Sequence, residues 1–249
     1  MSYSNGPKMV TDGLVMYLDA GSEKSYGGSG TVWNDLSANN NSGSLINGIT
    51  YNSSNKGYLA FDGTNDYINS TNCLDNPSEL TTAAWIKTNS YGSGYSIIIG
   101  KIKYLAGNSD TAGWYMAVGS NVGGSANSLC FGSQRAGDGL GTFSIAKDTN
   151  LASEGTWKYV TATLTGGTGG TITLYVNGIS YPLTTYFDVS GFSSSNPYNI
   201  TIGSNSSFVA DTYNLFYNGG ISMVKAYNRC LSANEILQNY NSTKGRYNL

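Results

Sequence analysis

Alternation of apolar and polar residues constrains the fold of this chain most strongly. Segments 157–164 and 171–176 place an apolar residue at every second position and are separated by a glycine-rich turn at 166–170. The apolar positions on the shared side are Val160, Ala162, Leu164, Ile172, Leu174 and Val176. A period of two is typical of half-buried strands. The pattern predicts a β-hairpin, and Asn177-Gly178 opens the next turn.

Similar segments recur along most of the chain. The other predicted strands are Gly13–Leu18, Tyr58–Phe61, Tyr67–Ser70, Thr81–Thr88, Ser96–Lys101, Trp114–Val118, Leu129–Ser133, Phe143–Ala146 and Tyr198–Ile202. Their number and spacing predict an all-β fold of two packed antiparallel sheets. The composition agrees, because 33 Gly and 20 Tyr with 4 Pro suit strands joined by tight turns. We expect one domain at 13–249, preceded by a polar N-terminal docking arm at 1–12.

One short helix is predicted near the end of the chain. Ser232 and Glu235 have the Ser-x-x-Glu spacing of a capping box, in which each side chain bonds a backbone N–H of the first turn. Ile236, Leu237 and Tyr240 then supply an apolar stripe. We expect this helix to follow the last strand and to pack at the edge of the sandwich.

Composition excludes several classes of function. The formal charge of −2 offers no broad basic surface for nucleic acid. No run of residues is long and apolar enough for a membrane span, and residues 1–8 do not read as a secretory leader. The three cysteines have neither metal-ligand nor redox spacing. These features predict reduced thiols and assembly in a cytoplasm.

Motifs in a fixed order link the chain to a known family. They are Gly13-Leu14-Val15-Met16-Tyr17-Leu18-Asp19, Trp33-Asn34-Asp35-Leu36-Ser37, Phe61-Asp62-Gly63-Thr64-Asn65-Asp66-Tyr67-Ile68, Ala84-Trp85-Ile86-Lys87, Trp157-Lys158-Tyr159-Val160, Leu174-Tyr175-Val176-Asn177-Gly178 and Ile202-Gly203. Together they resemble the concanavalin A-like, laminin-G-like jelly-roll family. The ending Leu231-Ser232-Ala233-Asn234-Glu235-Ile236 resembles the versions found in virion proteins of tailed bacteriophages. We expect Trp85 and Trp157 to fill the space between the sheets.

Catalysis is disfavoured by the residue types present. The chain has no histidine, which excludes Ser-His and Cys-His nucleophilic catalysis and a histidine-ligated zinc. Hydrolytic relatives of the resembled fold carry Glu-x-Asp-x-x-Glu on one strand, and this pattern is missing here. Asp62 and Asp66 are close in sequence but are interpreted as turn residues rather than as an acid–base pair.

Calcium is an alternative that the sequence leaves open. The run Asp35-x-Ser37-x-Asn39-x-Asn41 places oxygen-bearing side chains at alternate positions, but only one is charged, which favours an Asx-rich turn. The family resemblance implies a calcium site at the rim of the fold. Its implied ligands here are Asp62, Asp66 and Asn218.

Aromatic residues in polar surroundings indicate a binding surface. Aromatic rings stack on sugars and are common at protein interfaces, and the sequence does not separate the two uses. The candidate glycan or partner-binding residues are Tyr91, Tyr95, Tyr104, Trp114, Tyr115, Tyr213, Phe216 and Tyr217.

The favoured hypothesis is a non-enzymatic structural protein of a bacteriophage virion, in the capsid decoration, collar, tail or fibre. It would be assembled in the host cytoplasm, contact other virion proteins and adhere to surface glycans as a homo-oligomer or on a symmetric scaffold. The alternatives are a calcium-dependent carbohydrate-binding protein outside a virion and a glycan-cleaving enzyme.

Overall fold

The computed structural model describes residues 7–75, 77–90, 95–103, 112–119, 128–134, 141–146, 155–165, 171–181, 183–185, 198–204 and 215–249. Within these residues no helix combines the length and the hydropathy needed to cross a membrane.

Strands dominate the described part of the chain. They are β1 (Leu14–Asp19), β2 (Val32–Trp33), β3 (Gly43–Ile46), β4 (Thr50–Asn52), β5 (Tyr58–Asp62), β6 (Tyr67–Asn69), β7 (Leu80–Thr88), β8 (Tyr95–Lys103), β9 (Ala112–Gly119), β10 (Ser128–Gln134), β11 (Gly141–Ala146), β12 (Lys158–Leu164), β13 (Ile172–Val176), β14 (Ile179–Tyr181), β15 (Leu183–Thr185), β16 (Thr201–Ile202) and β17 (Asn218–Tyr227). Helix α1 spans Ala233–Asn241, and 3₁₀ turns lie at Ser54–Lys56 and Lys244–Tyr247.

The strands form two antiparallel sheets, as predicted. Sheet A has the order β14-β13-β12-β7-β17-β5-β4, with β1 also pairing with β17. Sheet B has the order β15-β11-β10-β9-β8-β16-β6-β3-β2. The main core contains the apolar residues of both inner faces, including Met16, Leu18, Trp33, Leu59, Ile68, Ile86, Trp114, Met116, Phe131, Val160, Leu174 and Val224. The two-sheet β-sandwich with one short terminal helix is therefore confirmed.

The hairpin of β12 and β13 follows the predicted alternation. Val160 pairs with Val176 and Leu164 with Ile172, and all four side chains lie in the main core. The turn that follows requires left-handed backbone, since Asn177 has a φ of 53° and Gly178 a φ of 80°. Two positive φ values at Asn-Gly are the requirement of the favoured hairpin turn.

Trp85 and Trp157 do not lie between the sheets, so that expectation is wrong. Trp85 alternates with the inward-facing Ala84 and Ile86, which turns its ring to the outer face of sheet A. Trp157 belongs to the same outer cluster. The tryptophans of the main core are Trp33 and Trp114.

The chain end after β17 covers this outer face of sheet A, and we call residues 233–249 the C-terminal cover. The predicted capping box is present, because the Ser232 side chain accepts from the Glu235 backbone and the Glu235 side chain from the Ser232 backbone. Ile236 packs with Tyr227 of β17, and the Tyr247 ring stacks on Trp85 with 3.9 Å between centroids. The helix therefore packs on the outer face of sheet A and also contacts β14, the edge strand of that sheet, where the sequence predicted it.

The N-terminal segment from Lys8 contacts the same cover. The Lys8 carbonyl accepts from the Gln238 side chain at 2.6 Å, and the Val10 N–H donates to Asn239 at 2.9 Å. Residues 1–6 lie outside the described part of the chain. The division into an arm at 1–12 and a domain at 13–249 stays a prediction.

Candidate functional site

A row of residues crosses the outer face of sheet B. Strand pairing places Asn69 beside Thr201, Thr201 beside Gly100, Gly100 beside Tyr115 and Tyr115 beside Gly132. The row runs through β6, β16, β8, β9 and β10, whose neighbours are spaced about 4.8 Å apart. Alternation turns these residues away from the main core, since Ile68, Ile202, Trp114 and Phe131 on the same strands face inward. Thr201, Gly100 and Gly132 of the row are nevertheless buried, whereas Asn69 and Tyr115 are half-buried. One row of the sheet thus unites residues from distant parts of the sequence.

Tyr115 is the large side chain of this row, and glycines make room for it. A Cβ on Gly132 would lie 2.5 Å from ring atoms Cε1 and Cζ of Tyr115. A Cβ on Gly100 would lie 2.9 Å from the Tyr115 Cβ. Any larger residue at Gly132 would therefore displace the ring. The ring lies against Gly132, and Tyr115 as a whole is half-buried.

Polar groups lie along the same face. Asn69 and Tyr67 share it because they are two positions apart on β6, and both are half-buried. Asn199 Nδ2 donates to Asn69 Oδ1 at 3.2 Å, and Ser44 of β3 pairs with Asn69 and is exposed. Burial raises the pKa of the Tyr67 hydroxyl, so it remains protonated at neutral pH. An aromatic ring beside amides and hydroxyls can stack on an apolar ring face and hydrogen-bond polar substituents.

Two of the aromatic residues predicted for a binding surface lie in the interior. Trp114 is 1 % exposed, packs against Phe131 and donates from Nε1 to the Leu74 carbonyl at 3.4 Å. Tyr217 is fully buried, and its hydroxyl is 3.1 Å from that of Thr88. Both are wrong as surface contacts, because both side chains lie in the main core.

The remaining aromatic residues predicted for a binding surface lie in different places, and some lie outside the described residues. Tyr115 lies on the outer face of sheet B, and Phe216 is half-buried beside the start of β17. Tyr95 begins β8, but its side chain lies outside the described residues. Also outside them are Tyr91, Tyr104 and Tyr213. These residues stay predictions.

Asp62, Asp66 and Asn218 come together at the ends of β5 and β17. Asn218 pairs with Asp62 in the sheet, and its Nδ2 donates to the Asp62 carbonyl at 3.2 Å. The two oxygens of Asp66 accept from the N–H groups of Gly48 and Asp62, at 2.8 and 3.0 Å. Asp62 Oδ1 accepts from the Thr64 N–H at 2.7 Å.

This arrangement is that of turn residues. Asp66 is 2 % exposed and bonds backbone donors with both oxygens, which fits a turn better than a calcium ligand. No group of three or more Cys, Asp or Glu placed to hold a metal occurs in the described residues. The calcium set stays a prediction, and we derive no chemistry through it.

Asp35 also forms the Asx-rich turn favoured over a calcium loop. Its Oδ1 accepts from the N–H groups of Tyr17 and Ser37, at 2.8 and 2.9 Å. Its Oδ2 accepts from the Asn41 N–H at 2.8 Å and from the Ser37 hydroxyl at 2.7 Å. The carboxylate thereby fixes the loop between β2 and β3 onto β1.

Solved structures with a similar fold are known. The binding domain of Paraclostridial Mosquitocidal Protein 1 matches with a TM-score of 0.66 and 17% identity over 93% of this chain and 52% of that one. Domain 4 of AbnA, a GH43 extracellular arabinanase from Geobacillus stearothermophilus in complex with arabinotriose, matches with a TM-score of 0.63 and 13% identity, over 91% and 98%. The binding domain of botulinum neurotoxin DC in complex with SialylT matches with a TM-score of 0.63 and 16% identity, over 94% and 52%.

The chain thus spans about half the length of the two toxin chains, and these likenesses establish the fold. No curated protein sequence matches it. A laminin-G-type family model described as the Concanavalin A-like lectin/glucanases superfamily matches residues 62–237, more than half of the chain. The chain therefore belongs to the concanavalin A-like lectin/glucanase superfamily.

Proposed function

We propose that this chain is a non-catalytic carbohydrate-binding domain whose sugar ligand contacts the outer face of sheet B. The observation that carries the proposal is Tyr115, a half-buried tyrosine on this face whose ring lies against Gly132. Asn69 and Asn199 add amide groups on the same face. Sugars are bound by stacking on aromatic rings together with hydrogen bonds to such groups.

Two similar structures support a carbohydrate ligand. The arabinanase domain is in complex with arabinotriose, and the neurotoxin binding domain is in complex with SialylT. Both are parts of larger proteins, and both are named as a domain or binding domain. They support a binding role for this fold.

A binding role is also favoured over hydrolysis by the state of the carboxylates. Asp66 bonds two backbone N–H groups, and Glu235 serves as a helix cap. A glycosidase needs two carboxyl groups that face one substrate and are free to transfer protons. No such pair is formed by Asp62 and Asp66, which stabilise one turn.

The test is a glycan array followed by calorimetry with the best ligand. We expect Tyr115→Ala to lower affinity at least tenfold and Tyr115→Phe to retain most of it, because the ring remains. Tyr51→Ala is the control, since Tyr51 is a half-buried tyrosine on sheet A. Equal binding by wild type and Tyr115→Ala would contradict the proposal. Repeating the array with a chelator tests the calcium dependence separately.

We further propose that the domain acts on a bacteriophage particle as a capsid, collar or tail component that adheres to surface glycans. The support is the ending at 231–236, which resembles that of phage virion proteins, and the absence of histidine-based catalysis. Mass spectrometry and imaging of purified particles test this role. Absence of the protein from virions would contradict it without affecting the carbohydrate proposal.

A further inference from the structure

Lys225 is a buried amine beneath the C-terminal cover. It lies at the centre of β17 between Tyr17 of β1 and Ala83 of β7, and its side chain is on the outer face of sheet A. The residue is 0% exposed. Its Nζ lies 5.2 Å from the centroid of the Tyr17 ring and has no hydrogen-bond partner. Burial away from water disfavours the protonated, charged form of the lysine amine.

Two hydroxyl groups on the same face of sheet A are also buried. Tyr159 Oη and Thr161 Oγ1, both on β12, are buried, and within the described residues they have no hydrogen-bond partner outside this pair. Thr161 and Lys225 flank Ala83, the small residue of β7 between them. Buried polar groups without partners disfavour the state that buries them, because they regain hydrogen bonds when water enters.

Other contacts hold the cover closed. Arg246 Nη1 forms an ion pair with Asp19 Oδ1 at 2.6 Å, and its Nε and Nη2 donate to the carbonyls of Asn55 and Gly57. The Tyr247 hydroxyl donates to Ser222 at 2.7 Å. These contacts therefore stabilise the closed state of the cover, whereas the buried polar groups beneath it destabilise that state.

We propose that the C-terminal cover is a protonation-sensitive latch, which docks on sheet A most firmly when Lys225 is neutral and lifts more readily when Lys225 carries a proton. Lifting hydrates the ammonium group together with the hydroxyls of Tyr159 and Thr161. It also uncovers the aromatic cluster of sheet A that contains Trp85.

Several titratable and charged groups of the described residues surround Lys225. In the described residues they are Tyr17 and Asp19 on β1, Lys87 on β7, Tyr159 on β12, Tyr227 on β17, Tyr240 on α1, and Lys244, Arg246 and Tyr247 in the terminal turn. Burial raises the pKa of each of these tyrosines, so they remain neutral. Asp19 and Arg246 are paired with each other.

The sign of the pH dependence follows from Lys225. Burial lowers its pKa to about 7 in the closed state, and nearby Asp19 acts in the opposite direction. In the lifted state the amine has a pKa of about 10.4. Between these values the lifted state binds more protons, so lifting becomes rarer as the pH rises, by up to about tenfold per pH unit. Below about pH 7 both states are protonated and the cover is held least firmly.

Hydrogen exchange of the amides in 233–249, corrected for the intrinsic pH dependence of exchange, measures this lifting. We expect the lifting equilibrium of the wild type to fall roughly 50-fold from pH 7 to pH 9. Lys225→Met should abolish this dependence. Lys87→Met is the matched control, because Lys87 is a half-buried lysine on the same face of sheet A, and it should retain the wild-type dependence.

Two results would overturn the latch. One is a lifting equilibrium that does not change with pH in the wild type, and the other is an unchanged dependence in Lys225→Met. NMR titration of the Lys225 side chain in the wild-type protein provides a test that needs no variant. A midpoint near 7 supports the proposal, and one near 10.4 contradicts it.

Discussion

At the scale of the residue, the buried amide of Asn239 joins the two ends of the chain. Its Oδ1 accepts from the Val10 N–H at 2.9 Å, and its Nδ2 donates to the Tyr227 hydroxyl at 3.1 Å. That hydroxyl in turn donates to the Val10 carbonyl at 3.0 Å. The three groups form a closed ring of hydrogen bonds in which each polar atom is satisfied.

We expect Asn239→Ala to lower the free energy of unfolding by about 2–3 kcal/mol, because it leaves a buried N–H and a buried hydroxyl without one partner each. Urea denaturation measures the loss. Asn234→Ala is the control, since Asn234 is an exposed residue of the same helix, and it should change the value by less than about 0.5 kcal/mol. Equal effects of the two substitutions would contradict this role for Asn239.

Substitution of Gly132 tests whether sugar binding depends on the position of the Tyr115 ring. Gly132→Ala places a methyl group where the Tyr115 ring lies, so the ring must move and sugar binding should fall at least tenfold in calorimetry. Gly245→Ala is the matched control, because a Cβ there meets nothing within 4 Å. Unchanged affinity in Gly132→Ala would show that the position of the ring does not matter.

Contacts between residues close in sequence were predictable, whereas contacts between residues far apart in sequence were not. The bonds between Ser232 and Glu235 were predictable because their partners are three positions apart. The partner of Asn239 is Val10, at a separation of 229 positions, and only the folded chain brings the two together.

At the scale of the element, the charge of Glu235 stabilises the start of α1. Hydrogen bonding to Arg229 lowers the pKa of Glu235 to about 2, and the backbone and side chain of Ser232 act in the same direction. Because the folded pKa lies below the unfolded value of about 4.3, this stabilisation is complete above pH 4.3 and is lost as the pH falls through 2.

We expect Glu235→Gln to lose that pH-dependent part, about 0.5–1 kcal/mol for a pair as exposed as this one. The difference in the free energy of unfolding between wild type and variant, measured from pH 5 to pH 2, should shrink towards the acid end. Glu23→Gln, at an exposed site, should show no such trend. A constant difference across this range would contradict the role of the charge.

Long strands were predicted better than short ones. The pattern predicted Thr81–Thr88 for a strand that spans Leu80–Thr88, and Trp114–Val118 for one that spans Ala112–Gly119. β2 and β14 have two and three residues, too few to show a period, and were missed. The faces of Trp85 and Trp157 were also wrong, because alternation identifies two faces of a strand without saying which one faces the core.

At the scale of the whole molecule, a partly buried ion pair links the last turn of the chain to the first strand. Arg246 and Asp19 side chains are each 10% exposed, and their atoms lie 2.6 Å apart. Removing one member of such a pair leaves the other without compensation. We expect Arg246→Ala to lower the free energy of unfolding by about 3–5 kcal/mol in urea denaturation. Lys244→Ala, in the same turn, should cost less than about 1 kcal/mol, and a similar loss in both would contradict the importance of the pair.

The sandwich was predictable from the sequence, whereas most of the site was not. Strands can be recognised locally, because apolar and polar residues alternate along them. The order of the motifs indicated the family. The row that contains Tyr115 is built from five strands between Asn69 and Thr201 in the sequence, and its register is set by tertiary packing. Tyr115 was predicted for its residue type, while Asn69 and Asn199 were missed because no local pattern connects them.

The most direct test of the central claim is a crystal structure of this protein with the tightest glycan found on the array. We expect an oligosaccharide on the outer face of sheet B, with one sugar ring stacked on Tyr115 and another unit within hydrogen-bond distance of the Asn69 or Asn199 side chain, because three strand spacings separate Tyr115 from Asn69. A sugar bound instead beside Asp62, Asp66 and Asn218, or on sheet A, would contradict it.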